Sequence, residues 1–238
     1  MLDSFVLFIG AFVAAAISGA AGFGGALLLM PLLVIKVGAA QAVPLLTIAQ
    51  LVGNLSRAGF GFNQIHWKPV GLFLVTAIPF SVLGALSFVE LPNESAARII
   101  GAVILIFVAL KYFNLLNLTG SPLLLIIGGS IAGFLSGLVG SAGPLAAAIF
   151  LSLGLPPVSY IASEAMTAIA MHSTKMLVYQ HFVVLDKSFW FLAGLMSAAM
   201  IIGTWTAKRI VERLSRDKFQ RFVSISLVAI ATYMLVHG

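Results

Sequence analysis

A glycine-rich break inside a long apolar segment occurs twice and restricts the fold more than any other feature. The copies run from Ile17 to Leu27 and from Leu135 to Leu145, and their first serines lie 136 − 18 = 118 residues apart. A repeat at about half the chain length predicts two equivalent halves. We therefore divide the chain into a first membrane repeat, residues 1–119, and a second membrane repeat, residues 120–238.

The glycines of each copy predict an interrupted helix, because Gly costs about 1 kcal/mol relative to Ala inside a helix. The first break contains Gly22, Gly24 and Gly25, and the second contains Gly140 and Gly143. In a membrane, a broken helix is tolerated where it lines a cavity or is buried in protein. The N–H groups at the start of a half-helix favour an anion there, and paired breaks in two halves indicate a transporter's binding site. Alternatively, the glycines only permit close helix packing.

The composition places the chain in a membrane. Hydrophobic residues make up 61% of the chain and charged residues 8%, whereas soluble domains carry about 25% charged residues. The absence of Cys excludes disulfides, thiolate metal sites and cysteine nucleophiles, and we expect neither a metal nor a cofactor. The net charge of +6 comes from basic residues beside apolar spans, which fits contact with membrane lipid rather than nucleic acid.

The apolar pattern predicts an all-α polytopic protein in which each half is a re-entrant helix hairpin followed by three transmembrane helices. The predicted hairpins are 4–35 and 122–154, and the predicted spans are 41–60, 69–88, 96–113, 159–181, 188–207 and 219–236. An odd number of crossings per half would invert one half relative to the other. The loop 89–98 is acidic while its counterpart 208–221 is basic, as inverted repeats predict, and the basic loop is expected to be cytoplasmic.

Polar residues recur inside the spans at the same offset. The segment Asn54-Leu55-Ser56-Arg57 aligns with His172-Ser173-Thr174-Lys175. At about 100° per residue, Gln50, Asn54 and Arg57 share one helix face, as do Glu164, His172 and Lys175. Ionisable groups inside a membrane indicate a functional site.

Each of these residues also has a structural alternative. Arg57 and Lys175 could extend to the membrane interface from the ends of their helices. His172 could be a hydrogen-bonded core residue, and Glu164 could cap the start of its helix. If functional, Glu164 and His172 are the candidates for proton coupling.

The chain resembles the sulfite exporter TauE/SafE family, also called the toluene-sulfonate uptake permease family, over essentially its whole length. The resemblance rests on Ser18–Gly25 with Pro31 after it, on its repeat at Ser136–Pro144, and on Ala162–Lys175 with its His172-x-x-Lys175 motif. The second copy reads Gly-Ser-Ala-Gly-Pro in place of the usual Gly-x-Gly-Gly. The resemblance implies a secondary transporter of sulfite, sulfonates or related small anions, and not an enzyme.

We therefore predict a small sulfur-containing anion bound at the membrane midplane between the two breaks. The candidate binding residues are Ser18, Gly22, Phe23, Gly24, Gly25, Gln50, Asn54, Arg57, Ser136, Gly140, Ser141, Ala142, Gly143, His172 and Lys175. The alternatives are an intramembrane serine hydrolase using Ser141 and His172, and a structural or chaperone-like membrane subunit. The plasma membrane of a prokaryote is the expected location, and a homodimer is left open.

Overall fold

The computed structural model describes residues 2–21, 25–113, 115, 120–210, 228, 232 and 235–236. Within these residues the chain forms nine α-helices, one short 3-10 helix at Phe62–Gln64 and no strand, so the predicted all-α class is confirmed. The helices are α1 (Leu2–Ala21), α2 (Gly25–Val37), α3 (Ala39–Phe60), α4 (Trp67–Val89), α5 (Asn93–Tyr112), α6 (Pro122–Val139), α7 (Gly143–Leu151), α8 (Pro157–Tyr179) and α9 (Lys187–Ile210). The predicted last span, 219–236, lies almost entirely outside the described residues.

The order of helices repeats at the offset of the sequence motif. Helices α2 and α7 begin 143 − 25 = 118 residues apart, and α3 and α8 begin 157 − 39 = 118 residues apart. Helices α1 and α6 end 139 − 21 = 118 residues apart. The sequence repeat therefore corresponds to a repeated series of helices.

The helices differ in how well they suit contact with lipid. In the described part of the chain, three helical segments are long and apolar enough to cross a membrane, namely α4, α6 and Lys187–Thr206 of α9. Helices α3 and α8 are of similar length, 22 and 23 residues, but contain buried polar side chains. These two helices pack against each other, α3 also packs against α9, and α8 also packs against α4. The polar residues therefore lie at the centre of the helix assembly.

Helices α4 and α6 pack closely along a row of small residues. Gly129, Gly133 and Gly137 recur every fourth residue on α6, and a side chain on Gly133 would collide with the backbone of Ala77 on α4. Gly137 meets the backbone of Ser81 in the same way. Residue numbers rise together along both helices, so α4 and α6 run parallel. Close helix packing is thus the role of these three glycines, as small residues allow in membrane bundles.

The second break has a different geometry. Helix α6 ends at Val139, and Gly140 has φ 82°, a left-handed conformation that glycine adopts without the strain of a Cβ. A side chain on Gly140 would also collide with Met30 of α2. Helix α7 then begins at Gly143, so an interruption lies where the sequence predicts it.

Candidate functional site

A buried cavity lies between α3 and α8, beside the second break. Its polar lining consists of Gln50, Asn54, Arg57, Ser136, Ser141, Glu164 and His172, and the other lining residues are Ala26, Ala142, Gly143, Ala146, Ala168 and Met171. The cavity volume of about 30 Å³ has room for about one or two water molecules. Small apolar residues and seven polar side chains thus converge on a confined space.

Helical spacing explains why these side chains meet. Gln50, Asn54 and Arg57 follow one another at intervals of four and three residues on α3, so they share the face that meets the cavity. On α8, Ala168 and Met171 lie on the face of Glu164 by the same spacing. Ala168 and Met171 were not among the predicted site residues, although their spacing from Glu164 could have identified them.

Arg57 holds the polar residues of α3 and α8 together. Its Nη2 donates a hydrogen bond to Oδ1 of Asn54 and lies 3.4 Å from Oε2 of Glu164. Arg57 is 8% exposed and Glu164 is 3% exposed. The alternative that Arg57 extends to the membrane interface is therefore wrong, because its charge is paired inside the protein.

Glu164 does not cap its helix. Helix α8 begins at Pro157, so Glu164 lies about two turns inside it, where the backbone N–H groups already bond within the helix. Its carboxylate instead faces Arg57 across the cavity. The helix-cap alternative is wrong for this reason.

Besides Oε2 of Glu164, which is paired with Arg57, two buried side chains in the cavity have polar atoms without a hydrogen-bond partner. Among the described residues, neither Nε2 of Gln50 nor Nδ1 of His172 has a hydrogen-bond partner, and the side chains are only 5% and 4% exposed. A buried polar atom without a partner costs about 1–3 kcal/mol. His172 is therefore not a fully hydrogen-bonded core residue, because its Nδ1 has no partner among the described residues. Both atoms belong to side chains that line the same cavity, so one ligand could bond to both.

Lys175 lies behind the wall of the cavity. Its Nζ donates to the carbonyl oxygens of Ser136 and Gly140, at 2.9 and 2.6 Å, and to Oγ of Ser136 at 3.0 Å. The side chain is fully buried, which excludes its extension to an interface. The hydroxyl of Tyr179 donates to the carbonyl of Gly137 nearby. Lys175 and Tyr179 therefore bind the carboxyl end of α6, where a positive charge is favoured.

The backbone N–H groups at the start of α7 donate hydrogen bonds to acceptors in the same segment. The N–H of Gly143 donates to Oγ of Ser141 at 3.3 Å, and Pro144 has no N–H. The N–H groups of the two residues after Pro144 donate to the carbonyl of Ala142, at 3.1 Å each. Donors for an anion at the second break therefore come mainly from side chains.

The first break is described only at its edges. Ser18 lies in the last turn of α1, and Gly25 is the first residue of α2. Gly22, Phe23 and Gly24 lie outside the described residues. Ala26, which follows directly, lines the cavity, so the chain enters the cavity wall immediately after the first break.

The described residues give no support to a hydrolase. In this part of the chain Ser141 accepts a hydrogen bond from Gly143, and Nδ1 of His172 has no partner, so the two do not form a nucleophile–base pair through that atom. The same residues contain no group of three His, Asp or Glu side chains that could hold a metal. What the described residues show is thus a polar cavity buried among helices.

A comparison with protein families identifies the class of protein. The family described as sulfite exporter TauE/SafE matches residues 7–234, nearly the whole chain. The protein belongs to this family of membrane transporters. No curated protein and no solved structure gave a match.

Proposed function

We propose that the protein is a secondary transporter, a permease or exporter, for a small sulfur-containing anion such as sulfite or an organosulfonate. The family supports transport of such anions. The observation that carries the proposed site is the pair of unmatched atoms, Nε2 of Gln50 and Nδ1 of His172, beside Arg57 in one buried cavity. An oxyanion accepts several hydrogen bonds and a positive charge, which these groups supply.

The other candidate residues have supporting roles in this proposal. Asn54 orients Arg57, and the hydroxyls of Ser136 and Ser141 face the cavity as further donors. Lys175 acts on the anion through α6, since its ammonium bonds to Ser136 and Gly140. The residues of the first break, Ser18, Gly22, Phe23, Gly24 and Gly25, remain candidate contacts of the anion, supported by Ala26, which follows them directly and lines the cavity.

We further propose that residues 1–119 and 120–238 are inverted repeats, each containing a re-entrant hairpin. The direction of the equivalent helices α3 and α8 supports this arrangement. Gly61, just after α3, packs against Ala162 near the start of α8, and Arg57 pairs with Glu164 further along it. Residue numbers therefore fall along α8 as they rise along α3, which makes these equivalent helices antiparallel. The basic segment 208–221 then lies on the cytoplasmic side of a prokaryotic plasma membrane.

Anion binding to the purified protein tests this proposal. Sulfite, thiosulfate, sulfoacetate and sulfate are compared by calorimetry in detergent for the wild type, Gln50→Leu and Gln64→Leu. Gln64 is exposed in the 3-10 helix, so its replacement is the matched control. Loss of a hydrogen bond to an anion costs about 1.5–3 kcal/mol, so Gln50→Leu should weaken binding about 10- to 100-fold. Equal affinities in the two variants, or no binding by the wild type, would contradict the proposal.

A further inference from the structure

The ion pair of Arg57 and Glu164 limits which charges the cavity can accept. The two opposite charges, 3.4 Å apart, lie in the wall that would receive the anion. In the described residues Oε2 of Glu164 accepts no hydrogen bond, so its pairing with Arg57 is electrostatic. An anion that binds Arg57 would therefore sit against a carboxylate of the same sign.

The small volume of the cavity also argues against an anion binding while Glu164 stays paired with Arg57. Its volume of about 30 Å³ is smaller than an oxyanion of four or more heavy atoms needs, because it corresponds to about one or two water molecules. Separation of Glu164 from Arg57 would both enlarge the space and free the guanidinium for the incoming anion. The separated carboxylate would then be a buried charge without a partner, which is costly unless it takes up a proton.

We propose that the anion and the carboxylate of Glu164 compete for Arg57, and that each bound anion is accompanied by one proton on Glu164. This inference rests on the proposed function and specifies its substrate class, a monovalent oxyanion that enters together with a proton. The proton comes from hydronium or a buffer acid on the side from which the anion enters and forms an O–H bond on the carboxylate of Glu164, while the anion itself forms no covalent bond. A monovalent anion and one proton together add no net charge to the buried site, whereas a divalent anion leaves one negative charge there.

The surroundings of Glu164 single it out as the proton acceptor. The titratable or charged groups near it in the described structure are Arg57 from α3 and Tyr160 and His172 from α8. The other hydrogen-bonding side chains from the second half are the hydroxyls of Ser136 on α6 and of Ser141 in the second break. Lys175 lies further along α8 with its ammonium on α6. Glu164 is thus the acidic residue among the described residues that line the cavity.

Methanesulfonate is a suitable probe, since it keeps one negative charge across the pH range in which the protein is stable. Its binding to the full chain is measured by calorimetry at several pH values, in pairs of buffers with different ionisation enthalpies, which gives the number of protons taken up. The wild type should take up about one proton per anion, so its affinity should fall about tenfold for each unit of rising pH where Glu164 is ionised in the unbound protein. Sulfate should bind more weakly than methanesulfonate.

Glu164→Gln should bind methanesulfonate without proton uptake and with an affinity independent of pH. At alkaline pH its affinity should exceed that of the wild type by about tenfold or more, because a unit negative charge has been removed from a site of low effective dielectric. Glu90→Gln, in the exposed turn after α4, removes the same charge outside the cavity and should behave as the wild type. Proton uptake that persists in Glu164→Gln would overturn the inference.

A measurement on the wild type alone covers the case in which Glu164→Gln does not fold. Infrared difference spectra on addition of methanesulfonate should show the carbonyl stretch of a newly protonated carboxyl group, which protonation of His172 cannot produce. Absence of this band, absence of proton uptake, or failure to bind methanesulfonate would overturn the inference. Sulfite binding in any of these cases would leave the proposed function intact, and failure to bind any sulfur anion would contradict the proposed function itself.

Discussion

Replacement of Lys175 by Met should destabilise the protein through the carboxyl end of α6. The ammonium of Lys175 lies 2.6 Å from the carbonyl oxygen of Gly140. That carbonyl cannot receive a helical hydrogen bond from the residue four positions later, because Pro144 has no N–H. Removal of the ammonium leaves this acceptor unpaired and also takes one partner from Ser136, at a cost of about 2–3 kcal/mol.

Thermal unfolding of the detergent-solubilised protein measures this effect, with Lys187→Met as the control. Lys187 is exposed at the start of α9, so its replacement removes the same charge and leaves α6 untouched. We expect Lys175→Met to lower the unfolding midpoint and to weaken anion binding together, since Ser136 and the second break form part of the cavity wall. Equal unfolding midpoints and equal affinities in the two variants would refute the reasoning, because Lys175 would then contribute nothing that an exposed lysine does not.

Three further predictions concern packing, the hydroxyl at the second break and the orientation of the repeats. Gly133→Leu should lower stability by about 1–3 kcal/mol or prevent folding, since the side chain meets the backbone of Ala77, whereas Gly194→Leu has open space and should be neutral in the same unfolding assay. Ser141→Ala should weaken anion binding by about 0.5–3 kcal/mol, and a fluorophosphonate should form no adduct with the wild type; an adduct at Ser141 would instead support a hydrolase. Because the chain lacks Cys, single cysteines at the equivalent exposed positions Phe62 and Gln180 can be labelled selectively, and inverted repeats require labelling from opposite sides of the membrane. Labelling of both from one side would exclude the inverted arrangement.

The helices themselves could be predicted closely from the sequence. The predicted span 41–60 corresponds to α3 (Ala39–Phe60), and the predicted span 69–88 corresponds to α4 (Trp67–Val89). The interruption before α7 follows from Gly140 and Gly143, because local backbone preference alone determines where such a helix ends. These features depend on neighbouring residues, which the sequence displays directly.

The pairing partners of the polar residues could not be predicted in the same way. Helical spacing correctly placed Glu164 and Lys175 near one face of α8, but it carries no information about which helix each side chain meets. In the structure Glu164 meets Arg57 of α3, whereas Lys175 meets the end of α6. These contacts depend on how α3, α6 and α8 cross, and that geometry is determined by side-chain packing over the whole assembly.

The close packing of α4 against α6 has a signal in the sequence of α6. Gly129, Gly133 and Gly137 recur at intervals of four residues, the spacing typical of close helix contacts in membranes. Gly129 and Gly133 lie outside the repeated break, so the break motif alone does not reveal the role of this row. Its partner could not have been identified, since Ala77 and Ser81 are far away in the chain and small residues are common on many helices.

Transport of sulfite by the purified protein in liposomes tests the central claim most directly. Proteoliposomes containing the wild type or Gln50→Leu are compared with protein-free liposomes for uptake of radiolabelled sulfite at near-neutral pH, where much of the sulfite is the monovalent hydrogensulfite ion and little is the neutral form that leaks passively. We predict saturable uptake by the wild type that unlabelled sulfite inhibits, and uptake reduced at least about tenfold at low sulfite concentration in Gln50→Leu. Wild-type uptake equal to that of protein-free liposomes, in both directions of the sulfite gradient, would contradict the account.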